Sequence, residues 1–280
     1  MAKYCCFRFD ADTHVCVQRG IPVLTSIAAS LGVQFTFFIN MGRAFHPWVT
    51  ASKAASRLVR QPTRRGSFSA AAKLGLLDSL IAAVKNTRAG RSAPDILRAA
   101  AVGNEIGLHG GRNHASWERY AHRWSKERLH AELLTGLHWM HECGIDRPQS
   151  FASPAWNSPR TLPSLLASLG FHLLADTHDR TVADPRLLGE GLVSMPTNIT
   201  ASSGSAGYLE SMHARGWTHR QIIHEFVSQL RTKQRLGVVY DHPFYAALHA
   251  RKLLVDLVQA AKDHGFVVCS MREATASLST

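Results

Sequence analysis

The sequence predicts an α/β protein whose mostly parallel strands close, or nearly close, into a barrel with helices outside. Two observations predict it. Short β-branched or aromatic runs alternate with helical patterns, which implies parallel strands joined by crossover helices. Seven or eight such units fit within 280 residues, and that number favours a barrel over the structural alternative, a doubly wound open sheet. No glycine-rich dinucleotide motif or P-loop occurs, which weakens nucleotide-binding versions of either fold.

The candidate strands, in order, are Tyr4–Phe9, Val33–Ile39, Glu105–Leu108, Gln149–Ala152, Leu173–Ala175, Leu192–Met195, Val238–Tyr240 and Phe266–Cys269. Between the first two, Ile21, Leu24, Ile27, Ala28 and Leu31 fall on one helical face. Leu129, Leu133, Leu137 and Met140 repeat the pattern before the fourth strand. Ile222, Ile223, Phe226, Val227 and Leu230 do so before the seventh, and Leu253, Leu254, Leu257, Val258 and Ala261 before the last.

Composition excludes several classes. With 45% hydrophobic residues the chain can bury a full core, and 19% charge without repeats argues against wholesale disorder. No apolar run reaches the ~18 residues of a membrane helix. Arg8 and Asp10 come too soon after Met1 for a signal peptide, so a cytoplasmic protein is expected. Cys5, Cys6, Cys16, Cys143 and Cys269 are odd in number and form no CxxC pair. They read as thiols in a reducing compartment, neither a disulfide framework nor a zinc knuckle.

The net charge of +12 suits nucleic acid, an anionic membrane surface or a phosphorylated substrate. Between Arg43 and Arg98 there are 11 Lys or Arg against two acids, Asp78 and Asp95, so most of the excess sits in one stretch. The region of about 45–100 breaks the strand–helix rhythm, with one helix indicated by Leu74, Leu77, Leu80, Ile81 and Val84. It reads as a basic insertion in one barrel domain spanning 1–280. Aromatics in the stretch are few and no nucleic-acid-binding motif appears, so no nucleic acid is expected as a partner.

Polar residues able to do chemistry follow the strands directly. Asp10 and Asp12 end the first, His109 the third, Ser153-Pro154-Ala155-Trp156 the fourth, Asp176 the fifth and Asp241-His242 the seventh. In a parallel barrel these ends converge at one mouth. Singly each is weak, because an Asp after a strand is more often a cap than a catalyst. Together, paired carboxylates can divide metal binding from base chemistry. His109 and His114 with an acid would form a three-ligand set with open positions, the glycines at 110 and 111 allowing the loop to bring both rings to one ion.

These stretches resemble the polysaccharide deacetylase superfamily of metal-dependent carbohydrate N-deacylases, and within it the undecaprenyl-phosphate formamido-arabinose deformylase type of lipid A modification. Phe9-Asp10-Ala11-Asp12-Thr13 matches the opening acid motif, Gln34-Phe35-Thr36-Phe37-Phe38 the second strand, and Asn40-Met41-Gly42-Arg43 a deformylase-branch segment. Gly103–His109 matches the metal-histidine motif and Phe151–Trp156 the third motif in an Arg-less form; Asp176 and Tyr240-Asp241-His242 fit the last two.

The resemblance implies a distorted (β/α)7 barrel, Asp10 as general base, His242 as general acid, and Asp176 orienting His242 or meeting the sugar. It implies Asp12, His109 and one further residue around a divalent ion, zinc first, with cobalt or manganese as alternatives. Ser153, Pro154, Ala155, Trp156, Asn40 and Arg43 would line the substrate, with Trp156 either stacking on the sugar or packing. The substrate implied is an N-acylated amino sugar carried on undecaprenyl phosphate, its N-formyl group removed at the cytoplasmic face of the inner membrane. Arg57, Arg60, Arg64 and Arg65, with Phe45, Trp48, Val49, Leu58 and Val59, would meet that anionic surface. The chain departs from the family in two places. Where a second histidine usually stands four positions after the first, it has Asn113, with His114 next; His114 is preferred as ligand, and the Asn113 amide is the alternative. Pro243-Phe244-Tyr245 follows His242 where the lipid A branch carries an acidic run, a departure that bears on the sugar more than on the reaction. N-deacetylation of a sugar or polysaccharide is a second reading. An inactive carbohydrate-binding relative is the third.

Overall fold

The computed structural model describes residues 2–46, 87–201 and 206–278. The candidate membrane-facing residues Trp48, Val49, Arg57, Leu58, Val59, Arg60, Arg64 and Arg65, and the helical pattern Leu74–Val84, lie outside them. Among the described residues no helix is long and apolar enough to cross a membrane.

The strands are β1 (Lys3–Ala11), β2 (Thr36–Ile39), β3 (Glu105–His109), β4 (Ser150–Ala152), β5 (Leu173–His178), β6 (Arg186–Gly189), β7 (Leu192–Thr197), β8 (Leu236–Asp241) and β9 (Phe266–Val268). Their order is β6-β7-β5-β4-β3-β2-β1-β8, with β9 beside β1. All neighbours are parallel except the β6–β7 pair, in which β6 is exposed. The ring is drawn together between β7 and β8 by Asn198. Its backbone N–H donates to Val238 O at 3.1 Å, its Oδ1 accepts from Val238 N at 2.9 Å, and its Nδ2 donates to Leu236 O at 3.1 Å. One side-chain amide thus stands in for missing ladder bonds, and the result is a distorted (β/α)7 barrel.

Helices cover the outside: α1 (Ile21–Leu31), α2 (Pro94–Ala101), α3 (His114–Tyr120), α4 (Lys126–Glu142), α5 (Leu162–Ser168), α6 (Tyr208–Ala214), α7 (His219–Arg231), α8 (Pro243–Leu248), α9 (Arg251–Asp263) and α10 (Met271–Leu278). The regular strand–helix rhythm resumes at Pro94, inside the stretch the sequence marks as insertion. There Arg88 lies over Trp139, Arg91 pairs with Glu142 at 2.9 Å, and Arg98 pairs with Asp95, so these cations engage the protein itself.

Strand alternation divides two cores. Outward from β1 point Cys5, Phe7, Phe9 and Ala11, which join Phe35, Phe37 and the helices' apolar faces; each buried phenylalanine contributes about 1.5–3 kcal/mol. Inside the barrel, Cys6 meets Phe38, Ala152, Ala175, Met195, Val238 and Met271. The floor is closed by α10. Glu105 Oε2 accepts from Thr36 Oγ1 at 2.8 Å and from Arg272 N at 3.0 Å, while Thr36 Oγ1 accepts from Met271 N at 2.9 Å. These bonds satisfy donors at the helix N-terminus that would otherwise be buried without partners.

Candidate active site

β1 places three polar residues at successive alternate positions: Arg8, Asp10 and, one residue past the strand, Asp12. Their neighbours Phe7, Phe9 and Ala11 face the outer core, so this polar row faces the barrel interior and its mouth.

Asp12 Oδ1 lies 3.2 Å from Nε2 of both His109 and His114. His109 ends β3, fully buried, and its Nδ1 lies 2.8 Å from Ala152 O, the terminal carbonyl of β4. That bond fixes the ring's orientation and turns Nε2 toward Asp12. His114 comes from a different element, the first turn of α3, its ring centroid 5.1 Å from that of His109. Its backbone N–H donates to Arg43 O at 2.8 Å. Gly110 turns the chain with φ +75°, and a Cβ on Gly42 would sit 2.2 Å from Arg112 O, so the two loops cross in contact.

Asn113 does not share this geometry. Its Oδ1 caps α3 by accepting from Ser116 N at 2.9 Å, and its Nδ2 donates to Phe45 O at 2.9 Å. The extra residue in the spacing is used as a helix cap, and the next residue carries the imidazole to Asp12.

The three donors fit a divalent cation. Asp12 Oδ1 and His109 Nε2 are buried polar atoms without a hydrogen-bond partner. Such atoms are costly unless a further group binds there, and two imidazoles with one carboxylate is a zinc-type donor set. These groups also hold one another. Burial pushes the Asp12 carboxyl up, but the surrounding His114, His242 and His109 outweigh it and hold it well below the usual range. For His114, burial opposes the charge and Asp12 outweighs burial, raising its pKa.

His242 follows β8 and is buried. Its Nε2 lies 3.2 Å from Asp12 Oδ2 and 2.9 Å from the Tyr240 hydroxyl. Its Nδ1 lies 2.6 Å from Glu210 Oε1 on α6. Burial works against its charge, but Glu210 and Asp12 raise its pKa well above the ordinary value. Asp241 fixes α6 in place: its Oδ2 accepts from Leu209 N at 2.6 Å and its Oδ1 from His242 N at 2.9 Å. The carboxylate on the His242 ring is thus Glu210, where the sequence offered Asp176 either to orient His242 or to meet the sugar. Asp176 accepts from Ser153 N at 2.6 Å instead, and its burial raises its pKa.

Asp10 is gripped by Arg8, whose Nη2 lies 2.9 and 2.6 Å from the two carboxylate oxygens. The guanidinium is fully buried, bonded also to Ala175 O and Thr197 Oγ1, and lies over Trp156 at 4.4 Å, Phe38 at 4.9 Å and Tyr240 at 5.3 Å. A fork pairing plus aromatic faces is what keeps a charge tolerable in the barrel centre.

Several residues expected to line the substrate do other work. Asn40 is fully buried, donating to Asp12 O at 2.8 Å and accepting from Gly42 N at 3.0 Å, so it shapes the ligand loop. Arg43 pins His114 through its backbone. Ser153 and Pro154 are buried. Ala155 and Trp156 adopt left-handed backbone, with φ 51° and 60°. Trp156 is packed by protein groups: besides Arg8, His178 stacks on it at 4.7 Å with 8° between planes.

Sequence reasoning overlooked Arg8 and Glu210. Period-two alternation in β1 carried a signal for Arg8, since it places Arg8 on the face of Asp10. Glu210 carried none: it reaches the site from a helix whose preceding backbone is anchored by Asp241.

Fold and site together define a deacetylase-type barrel with a candidate metal centre at its mouth. No protein-family model matches the chain. Solved structures share the fold. One from Mycobacterium smegmatis, assigned as a polysaccharide deacetylase, superposes with a TM-score of 0.62 at 18% identity, over 99% of this chain and 91% of that one. The chitin deacetylase of Colletotrichum lindemuthianum does so with 0.53 at 14%, over 97% and 86%. A family 4 carbohydrate esterase from Streptomyces lividans does so with 0.51 at 12%, over 96% and 91%.

Proposed function

We propose that the chain is a metal-dependent amidohydrolase that removes the N-formyl group from an amino sugar carried on a polyprenyl phosphate of the undecaprenyl-phosphate formamido-arabinose kind. The observation that carries the hydrolase reading is the convergence of Asp12, His109 and His114 within 3.2 Å contacts, with His242 facing the same carboxylate. Asp12, His109 and His114 would hold the cation, zinc by the donor set and cobalt or manganese as alternatives. A cation bound there supplies Lewis-acid polarisation of the acyl carbonyl and acidifies a water.

The chain's own groups move the protons. Asp10, fixed by Arg8, accepts the proton of the attacking water. His242 carries a proton on Nε2 and gives it to the departing amine as the carbon–nitrogen bond breaks, while Glu210 keeps its ring oriented. The Ser153 N–H is committed to Asp176, so the backbone donor left in that turn for the developing oxyanion is the Ala155 N–H. The products are a free amino sugar and formate.

What supports the formyl reading is the sequence resemblance to the deformylase branch, carried by Asn40-Met41-Gly42-Arg43 and the Arg-less third motif Phe151–Trp156. A second reading, N-deacetylation, is supported by the deacetylases among the structural neighbours. The test is to offer N-formyl and N-acetyl amino sugars, free and polyprenyl-phosphate-linked, with zinc, cobalt or manganese. Formate release supports deformylation and acetate the second reading; release of neither with a loaded metal site rejects both. The lipid carrier implies work at the cytoplasmic membrane face. Flotation with anionic vesicles at low salt tests that, with the Arg57, Arg60, Arg64 and Arg65 substitutions expected to abolish binding.

A further inference from the structure

At the rim of the barrel mouth stands a side chain that the proposed proton transfers do not use. His178 is the last residue of β5, opposite Thr197 of β7. Its ring is half-buried and lies flat on Trp156. Neither ring nitrogen has a hydrogen-bond partner among the described residues. Comparable half-exposed imidazoles of this chain are bonded: His213 Nδ1 to the Tyr245 hydroxyl and His219 Nε2 to Asp256, each at 2.8 Å. A half-buried imidazole with bare nitrogens leaves hydrogen-bonding capacity turned toward whatever enters beside it.

Its placement is held from below. Trp156 is set by the left-handed turn at Ala155 and Trp156, a conformation that costs non-glycine residues energy and clusters at working sites. Trp156 in turn packs on Arg8, which grips Asp10. A group resting against His178 is therefore linked by contacts to the proposed base.

We propose that His178 contacts the substrate directly, its free ring nitrogens hydrogen-bonding a hydroxyl of the sugar ring that enters the mouth. The chemistry favours a hydroxyl over a phosphate. Burial, and then the Arg8 guanidinium, lower the His178 pKa and favour the neutral ring. A neutral imidazole offers one donor and one acceptor, as a hydroxyl does, whereas a phosphate offers only acceptors. This inference rests on the sugar N-deacylase reading and names the residue that would select the sugar.

The experiment compares wild type with His178→Phe, which keeps the stacking ring but has no nitrogen, and His178→Gln, which keeps a donor and an acceptor. Binding of 4-formamido-4-deoxyarabinose, N-formylglucosamine and N-acetylglucosamine to EDTA-treated protein is measured by saturation-transfer NMR, so that no turnover consumes the probe. His178→Phe is expected to weaken binding of the preferred sugar about five- to tenfold, the loss of one hydrogen bond. His178→Gln restores part of it, and in zinc-loaded protein KM rises with kcat little changed. In wild type, the His178 ring signals shift on adding sugar, a readout that needs no variant to fold. Equal binding by wild type and His178→Phe, with unshifted His178 signals, would make His178 a packing partner of Trp156 and overturn the proposal while leaving the deacylase reading intact. Wild type that binds none of the three sugars, EDTA-treated or zinc-loaded, also overturns the His178 proposal, while the deacylase reading is decided separately by acyl release from the loaded site.

Discussion

The Glu210 carboxylate stands 2.6 Å from Nδ1 of His242, and both side chains are buried. Glu210 lies 32 positions upstream, on a helix whose first turn is tied to Asp241, the residue before His242. Strand end and helix are thereby tied together, and the Nδ1 contact sets the ring's orientation.

Replacing Glu210 with Gln should lower kcat by about a hundredfold, the low end for general acid catalysis, while leaving one bound cation per chain. Steady-state kinetics beside metal analysis by mass spectrometry checks both halves. An unchanged kcat would remove Glu210 from the proton path.

Asn113→Ala should cost about 1 kcal/mol through loss of the α3 cap and lower the melting temperature, yet retain the cation. His114→Ala should do the reverse, losing metal affinity with a smaller change in melting. Thermal denaturation and equilibrium dialysis with zinc separate the two. Loss of metal in the Asn113 variant alone would make the amide the ligand.

Arg8→Met leaves the Asp10 carboxylate buried without its partner, which typically costs about 3–5 kcal/mol. The double variant Arg8→Met with Asp10→Asn should recover much of that loss, although it would remain inactive. Urea unfolding of the single and double variants measures the difference; additive losses would contradict a coupled pair.

Burial, then Glu210, push the Asp241 carboxyl up to about 8. Its folded pKa therefore exceeds its unfolded value of about 3.9. The stabilisation it brings is complete below pH ~4 and is lost as pH climbs through ~8. Asp12 has the opposite sign: its lowered pKa gives stability that is present above about 3.9 and lost as pH falls through the folded value. EDTA-treated wild type should thus lose melting temperature between pH 5 and 8, and Asp241→Asn should flatten that slope. Parallel slopes for the two proteins would refute the assignment.

Much of the fold can be read in the sequence because a parallel strand buried on both faces leaves a short apolar run that few other structures tolerate. All eight expected strands form, usually longer at their C-terminal ends, where polar residues hide the continuation: β1 runs on through Asp10 to Ala11, and β5 through Asp176 to His178. β6 has no such signature. Its residues are exposed, so no burial pattern marks Arg186–Gly189. The strand-end residues Asp12, His109 and His242 are legible by position, and His114 by its place in the loop that follows His109. The partners that orient them are not, since Glu210 arrives through a long-range anchor and Asp176 is diverted by a single backbone bond to Ser153.

Arg8, Asp10 and Asp12 share the face set by one strand, Asp12 one residue past its end. A slip of β1 by one residue against β2 and β8 would therefore expel the proposed base, its holder and a proposed metal donor from the barrel together. On the proposed function, uptake of one divalent cation per chain reports that the first strand has seated in its proper register, which makes metal content a quality gauge for refolded or engineered preparations.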